Sequence, residues 1–364
     1  MNFKRTGSIF AIAAVGTMLL ASCAGNEGAA EAGDSASASD LSGTINGIGS
    51  SAQGTAETTW AAGFQTANPD VTVNYDPQGS GSGRTSFISG AADFAGSDAA
   101  LKDEELASEF AACAPGTKGI DLPVYISPIA LAYNVEGVDD LTLDAATIAG
   151  IFKGTITTWD DDAIVALNPD ADLPSESITA IHRSDDSGTT QNFTEYVKAN
   201  AGDVWDAESG QTFPYSTGDA AKGTSGVVDA INNSTNSIGY ADESGIGDLS
   251  AAKLMVGGEA SELTADGASQ AVAASPLAEG RESNDLAIKL DRTYDEAGSY
   301  PLVLVSYLIT CSEYADAEKG AVVKAYAEYV ASDEGQEAAA DQAGSAPLSS
   351  DLASKVADAI ATIK

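Results

Sequence analysis

Three short clusters of Ser, Gly and Thr, at residues 47–52, 79–83 and 187–190, each fall between a β-branched apolar run and a run of helical composition, with an acid at Asp98 and a base at Arg183. Such loops suit the capture of a small oxyanion. Glycine lets backbone N–H groups approach closely, hydroxyls add donors, and the helix N-terminus behind each loop carries a positive partial charge. Arg183 offers planar, bidentate bonding to two oxygens, and Asp185 stands where it could orient the guanidinium. Asp98 is the unusual member, because a carboxylate repels an anion unless that anion still carries a proton to donate. Phosphate at neutral pH carries one and sulfate does not. Each feature also has a plain alternative: Asp98 as an N-cap before residues 99–101, Arg183 and Asp185 as a surface ion pair, and Ser187-Gly188-Thr189 as an ordinary helix cap.

These loops need a scaffold. Residues 44–48, 71–75, 122–126, 129–134, 178–182, 238–241 and 302–309 read as short buried strands. Helical stretches are expected at 55–66, 84–90, 145–152, 191–200, 318–331 and 350–363. The alternation predicts α/β layers, in which ligands sit beyond the carboxyl ends of the strands. Residues 251–281 read as loops and short elements without a clear place.

Composition bounds the rest. A chain of 364 residues, 43% hydrophobic, can bury a core and divide into two domains. A formal net charge of −37 argues against a nucleic-acid partner and for a solvated surface. Lys4 and Arg5 followed by an apolar stretch at 9–20 read as a secretory signal, too short for a membrane span of roughly 20 residues. Leu20-Ala21-Ser22-Cys23 resembles a bacterial lipoprotein cleavage box, giving a signal peptide at 1–22 and a lipid-carrying Cys23. Its removal takes two positive charges and no acid from the net −37, leaving −39. Residues 23–40 hold no large apolar side chain and are expected to be a flexible, lipid-anchored linker.

With Cys23 so assigned, Cys113 and Cys311 are expected to pair in an oxidising compartment, making residues near 113 and 311 neighbours. The single histidine, His182, on an apolar strand, reads as a packed residue. Without a cluster of ligands, no metal and no cofactor is expected. Trp60, Trp159 and Trp205 read as core or lobe-surface residues.

A resemblance then emerges from collinear motifs. Leu41-Ser-Gly-Thr-Ile-Asn-Gly-Ile-Gly-Ser-Ser, Val73-Asn-Tyr, Gly79-Ser-Gly-Ser-Gly, Asp93-Phe-Ala-Gly-Ser-Asp98, Ile156-Thr-Thr-Trp-Asp, Leu167-Asn-Pro and His182-Arg-Ser-Asp-Asp-Ser-Gly-Thr-Thr190 together resemble the phosphate-binding protein of high-affinity phosphate ABC transporters. The likeness runs from about residue 41 to the C-terminus and is strongest over 41–200. It implies a two-lobed periplasmic-binding-protein fold, two α/β domains joined by a hinge with the ligand cleft between them: lobe one at 41–133 and 302–364, lobe two at 134–301. It implies phosphate binding by Ser51, Ala52, Ser80, Asp98, Arg183, Ser187, Gly188 and Thr189, supported by Asp185 and Ser82, with no catalytic residue. The family usually has Thr-Phe where Ser51-Ala52 stand, so the hydroxyl and backbone N–H are kept and an aromatic wall is lost. Gly81-Ser82 inverts the usual Ser-Gly order, leaving Ser80 and Ser82 both open as donor. The implied protein is a monomeric extracytoplasmic lipoprotein on the outer face of the cell membrane, serving ABC permease subunits. A receptor for sulfate, molybdate or tungstate, and less readily a phosphatase, are the alternatives.

Overall fold

The computed structural model describes residues 41–364; the signal peptide, Cys23 and the linker at 23–40 lie outside the described residues. The backbone is built on β1 (Gly43–Gly49), β2 (Val71–Asp76), β3 (Phe94–Ser97), β4 (Gly119–Asn134), β5 (Thr142–Leu143), β6 (Thr179–Arg183), β7 (Asp219–Ala221), β8 (Ser237–Asp242), β9 (Ser250–Ala251), β10 (Lys253–Val256), β11 (Glu259–Ser261) and β12 (Val303–Cys311). The large sheet runs in the order β2-β1-β3-β12-β4-β8-β6-β7, with β9 also on β4, and β11-β10-β5 form a small second sheet. Helices α1 (Gly54–Ala67), α2 (Ser80–Ile88), α3 (Asp103–Leu106), α4 (Ala145–Lys153), α5 (Asp162–Leu167), α6 (Gly188–Asn200), α7 (Gly223–Asn232), α8 (Ala265–Ala273), α9 (Ala317–Ala331), α10 (Asp333–Ala343) and α11 (Ser350–Ala361) complete the chain. This is the expected two-lobed α/β architecture. Residues 251–281, unplaced from sequence, supply β10, β11 and α8, and α8 lies against β4 and β12.

The sequence pattern divides residues 122–134 into two strands at Pro128, whereas the structure has one continuous strand from Gly119 to Asn134. Its first ten residues pair with β12, from Gly119 opposite Cys311 to Pro128 opposite Val303. Its last six pair with β8, from Ile129 opposite Asp242 to Asn134 opposite Ser237. The two prolines, which have no N–H to donate, fall where the ladder is irregular or changes partner. Pro123 stands opposite Tyr307 where the register shifts, and the ladder resumes beyond Pro128 with Ile129 N–H on Leu302 O at 2.9 Å. One strand thus belongs to both halves of the sheet. Between them the sheet curls until its edges meet: Lys222, after edge strand β7, donates to Gln78, after edge strand β2, at 2.6 Å.

Apolar side chains from both halves are buried along this strand, including Tyr125, Leu131 and Tyr133. Trp60, Trp159 and Trp205 are fully buried, so all three are core residues. His182 stacks on Phe213 at 3.9 Å, with Nδ1 2.9 Å from its neighbour's carbonyl, as a packed residue would. Cys113 and Cys311 are joined, with Cα atoms 5.3 Å apart.

Candidate functional site

The three clusters converge where the halves of the sheet face each other. Each loop follows the carboxyl end of a strand (β1, β2 or β6) and runs into a helix. Two of those helices begin earlier than their composition suggests, α2 at Ser80 and α6 at Gly188, so Ser80, Gly81, Gly188 and Thr189 are first-turn residues whose N–H groups lack intrahelical acceptors. The glycines are required by close approach. A Cβ on Gly188 would lie 2.6 Å from Ser80 Oγ and 2.7 Å from Asp98 Cβ, and one on Gly83 would lie 2.5 Å from Ile48 O. Gly79 takes φ +102°, and a Cβ there would meet Asp185 Oδ2 at 2.6 Å.

Asp98 sits at the centre, 4% exposed, just past β3. No helix follows at 99–101, which removes the N-cap alternative. Its N–H donates to Ser80 Oγ at 3.1 Å. Thr189 Oγ1 donates to Oδ2 at 3.1 Å, Ser306 Oγ donates to Oδ1 at 2.9 Å, and Asn192 Nδ2 donates to the Asp98 carbonyl at 2.8 Å. Burial pushes the carboxyl up from its ordinary range, and the hydroxyls of Ser50, Ser306 and Thr189 together with the Arg183 charge only partly offset that.

Arg183, at the end of β6 and 3% exposed, is held by both oxygens of Asp185, Nε to Oδ1 at 2.8 Å and Nη2 to Oδ2 at 2.5 Å. Arg183 is buried and Asp185 only partly exposed, contrary to the surface alternative. Burial opposes ionisation of Asp185, but the guanidinium and the Gly223 N–H outweigh it and hold the carboxyl below the usual range. Nη1 is left over from the Asp185 pair and, among the described residues, its one hydrogen bond is to Thr189 Oγ1 at 3.5 Å. Thr189 therefore lies between the acid and the base.

Ser187 caps α6 by accepting from Thr190 N–H at 3.1 Å, which occupies a lone pair and leaves its O–H free to donate. Ser51 Oγ accepts from Thr224 N–H at 3.0 Å and shares a 3.1 Å bond with Thr224 Oγ1, joining the first loop to the start of α7. Ala52 is buried, and its N–H donates to Ser50 Oγ at 3.1 Å. Of the two serines left open, Ser80 is buried against Asp98, and Ser82 is exposed. Sequence reasoning passed over Ser306, Thr224 and Asn192. Ser306 is a polar residue inside the apolar strand β12, placed at its register shift, and Thr224 belongs to a fourth Gly/Ser/Thr cluster, Gly223-Thr224-Ser225-Gly226, which forms the first turn of α7. Both signals were readable.

Among the described residues, no group of three or more His, Cys, Asp or Glu could hold a metal, and no helix is long and apolar enough to cross a membrane. The arrangement can surround a small tetrahedral anion with hydroxyls, helix N-termini and a guanidinium, and meet one proton of that anion with a carboxylate.

A PBP superfamily domain matches residues 34–334. The phosphate-binding protein PstS3 of Mycobacterium bovis (strain BCG / Pasteur 1173P2) is 36% identical over 338 residues, covering 90% of each chain. Phosphate-binding protein PstS 2 of Mycobacterium tuberculosis (strain ATCC 25618 / H37Rv) is 35% identical over 373 residues, covering 100% of each. Among solved structures, a high affinity periplasmic phosphate-binding protein bound with phosphate superposes with a TM-score of 0.70 at 24% identity, over 86% of this chain and 93% of that one. A phosphate-binding protein from Stenotrophomonas maltophilia gives 0.69 at 18% identity, over 87% and 93%. At such identities the superpositions speak for the fold alone.

Proposed function

The chain belongs to the PstS-type phosphate-binding proteins of the PBP superfamily, and on that premise we propose that it captures inorganic phosphate between its lobes and delivers it to an ABC permease. The observation that carries the reading is the opposition of a buried, hydroxyl-held Asp98 to a buried, Asp185-held Arg183, with Thr189 between them. Arg183 Nη1, the hydroxyls of Ser51, Ser80 and Ser187, and the N–H groups of Ala52, Gly188 and Thr189 replace the water around the ligand. Asp98 takes the remaining phosphate hydrogen bond, and Asp185 positions the guanidinium. Ser82, exposed, stands outside this set. Ala52 N–H would exchange Ser50 Oγ for the ligand.

Phosphate still carries a proton at neutral pH and donates it in a hydrogen bond to Asp98, whose carboxyl burial pushes up from its ordinary range and so makes a ready acceptor. Removing that proton places two like charges in contact, so affinity falls in alkaline solution. Binding and release need the lobes to part. We place the crossing where β4 exchanges β12 for β8, between Pro128 and Ile129, and where the chain enters β12 at Val303, a few residues from the expected boundaries at 134 and 302. The mature protein is held at the outer face of the membrane by lipid on Cys23 and acts as a monomer, without catalysis.

Calorimetric titration with phosphate, sulfate and arsenate tests this. The parent is expected to bind phosphate and to discriminate against sulfate. Arg183→Ala should weaken binding by about 3 kcal/mol, because a buried ligand charge loses its positioned cation, and Arg183→Lys should recover only part of that, since an ammonium cannot keep both Asp185 bonds and still reach the ligand. Phosphate bound as tightly by Arg183→Ala as by the parent would place the site elsewhere. Equal affinity for sulfate and phosphate would favour a general oxyanion receptor.

A further inference from the structure

Two hollows flank the Asp98–Arg183 site, and their linings differ in charge. One, of about 320 Å³, is walled by Asp98, Asp103 and Glu195 as well as Lys102, Arg281 and Arg292. Its arginines are engaged, Arg281 with Asp121 and Asp285, and Arg292 with Glu195. The other, of about 780 Å³, opens beside Ser51, Gly223 and Thr224 and is lined by Ser and Thr hydroxyls, Gln78, Gln342 and Lys222. In a chain with 54 acids, none of the described residues lining this larger hollow is Asp or Glu.

The acid-free lining matters because the whole molecule is strongly negative. At physiological salt the field of distant carboxylates is screened within about 8 Å, so an arriving dianion responds to the charges lining its route. Lys222 is the one charged side chain in this lining and makes no ion pair among the described residues; its ammonium donates instead to Gln78 Oε1 at 2.6 Å. Gln78 is steadied from behind by Asp76, whose Oδ1 accepts from Gln78 Nε2 at 2.8 Å. The Lys222–Gln78 bond joins the two edges of the curled sheet across the hollow, beside the Ser51–Thr224 contact that seals the site.

We propose that this hollow is the port through which the oxyanion reaches and leaves the site, its lining free of carboxylates for that reason and the two just behind it engaged, Asp76 with Gln78 and Asp185 with Arg183, with the Lys222–Gln78 bond as the bar that closes it. The inference rests on the phosphate reading above. It makes Lys222 serve twice, as the cation that draws the anion in and as half of the closure.

Association and dissociation rate constants for inorganic phosphate, followed by stopped-flow tryptophan fluorescence, test it. Thr58→Asp places a carboxylate in the hollow at an exposed position on α1. It should slow association about three-fold near 10 mM ionic strength, and the difference should vanish toward 1 M sodium chloride. Ser209→Asp, exposed in a further hollow that shares Glu195, Arg281 and Arg292 with the acidic one, should leave association unchanged. Gln78→Ala keeps the cation and removes the bar, so dissociation should quicken about two- to five-fold with association unaltered. Slower association in Ser209→Asp but not in Thr58→Asp would move the port to the other flank, and no response in either would remove a guided port altogether. Unchanged dissociation in Gln78→Ala would remove the bar. A parent that binds no phosphate in the titration above would instead overturn the underlying reading.

Discussion

Thr189 and Ser306 each donate to one oxygen of Asp98, and the two hydroxyls come from opposite sides of it, α6 and β12. This fixes the carboxylate plane before any ligand arrives and leaves the acid able to accept a proton rather than to wander. Asp98→Asn keeps the shape but offers an NH₂ donor, which fully ionised sulfate can use and which the phosphate proton cannot. A site built around such a bond discriminates by roughly 10⁴–10⁵ at best, so the phosphate-to-sulfate affinity ratio of Asp98→Asn should fall by at least roughly tenfold. Parallel titrations decide it, and an unchanged ratio would assign selectivity to cleft size instead. Among the residues expected from sequence, Ser51, Ala52, Ser80, Ser187, Gly188 and Thr189 lie on the converging loops and the helix starts behind them, where glycine and hydroxyl spacing was the signal, whereas Asp98 follows β3 and Arg183 ends β6, each marked by its charge alone. Ser306 was hidden because a single hydroxyl in an apolar strand reads as tolerance, and only the register shift at Ser306/Tyr307 shows that it is aimed.

The long and strongly patterned elements were legible, with α1, α4, α9 and β1 found within a residue or two. Four-residue β3 was not, since Phe94–Ser97 is too short to show alternation and is flanked by turn residues. The starts of α2 and α6 were misplaced because Gly and Ser disfavour helix interiors, and only tertiary fit against Ile48, Ser80 and Asp98 selects them. Helix α1 carries a burden its composition does not announce. Glu57 is fully buried on it, with Tyr326 donating to Oε2 at 2.7 Å and no partner for Oε1. Burial, opposed only by that hydrogen bond, pushes its pKa up to about 8. The folded state therefore holds the proton more tightly than the unfolded chain does. The stabilisation is complete below the ordinary value of 4.5 and is lost as pH rises through about 8. Between about pH 6 and about pH 9 the parent should lose about 3 kcal/mol more stability than Glu57→Gln, read from urea unfolding at each pH. Parallel pH profiles for the two proteins would show that Glu57 is ionised at no cost or already ionised.

At the scale of the molecule, β4 and β12 run side by side through the centre, and the disulfide closes one end of that pair. Cys311 stands opposite Gly119 on β4, while the proposed crossing between lobes lies at the other end, near Val303 and Pro128. Ser306, the β12 residue that touches Asp98, precedes Cys311 by five positions, about 17 Å along an extended strand. The bond is thus anchored on one side of the crossing and need not stretch or relax as the lobes part. Its effect belongs to the unfolded chain, where it ties residues 198 positions apart. Replacing both Cys113 and Cys311 with Ser should therefore cost about 2–4 kcal/mol of stability, measured by denaturant unfolding, and leave the phosphate dissociation constant within about two-fold of the parent's. The two readouts separate the possible roles. Lost affinity with lost stability would mean that the end of β12 at Cys311 helps to hold Ser306 against Asp98, whereas equal stability with and without the bond would mean that the β4–β12 pairing already persists in the unfolded chain.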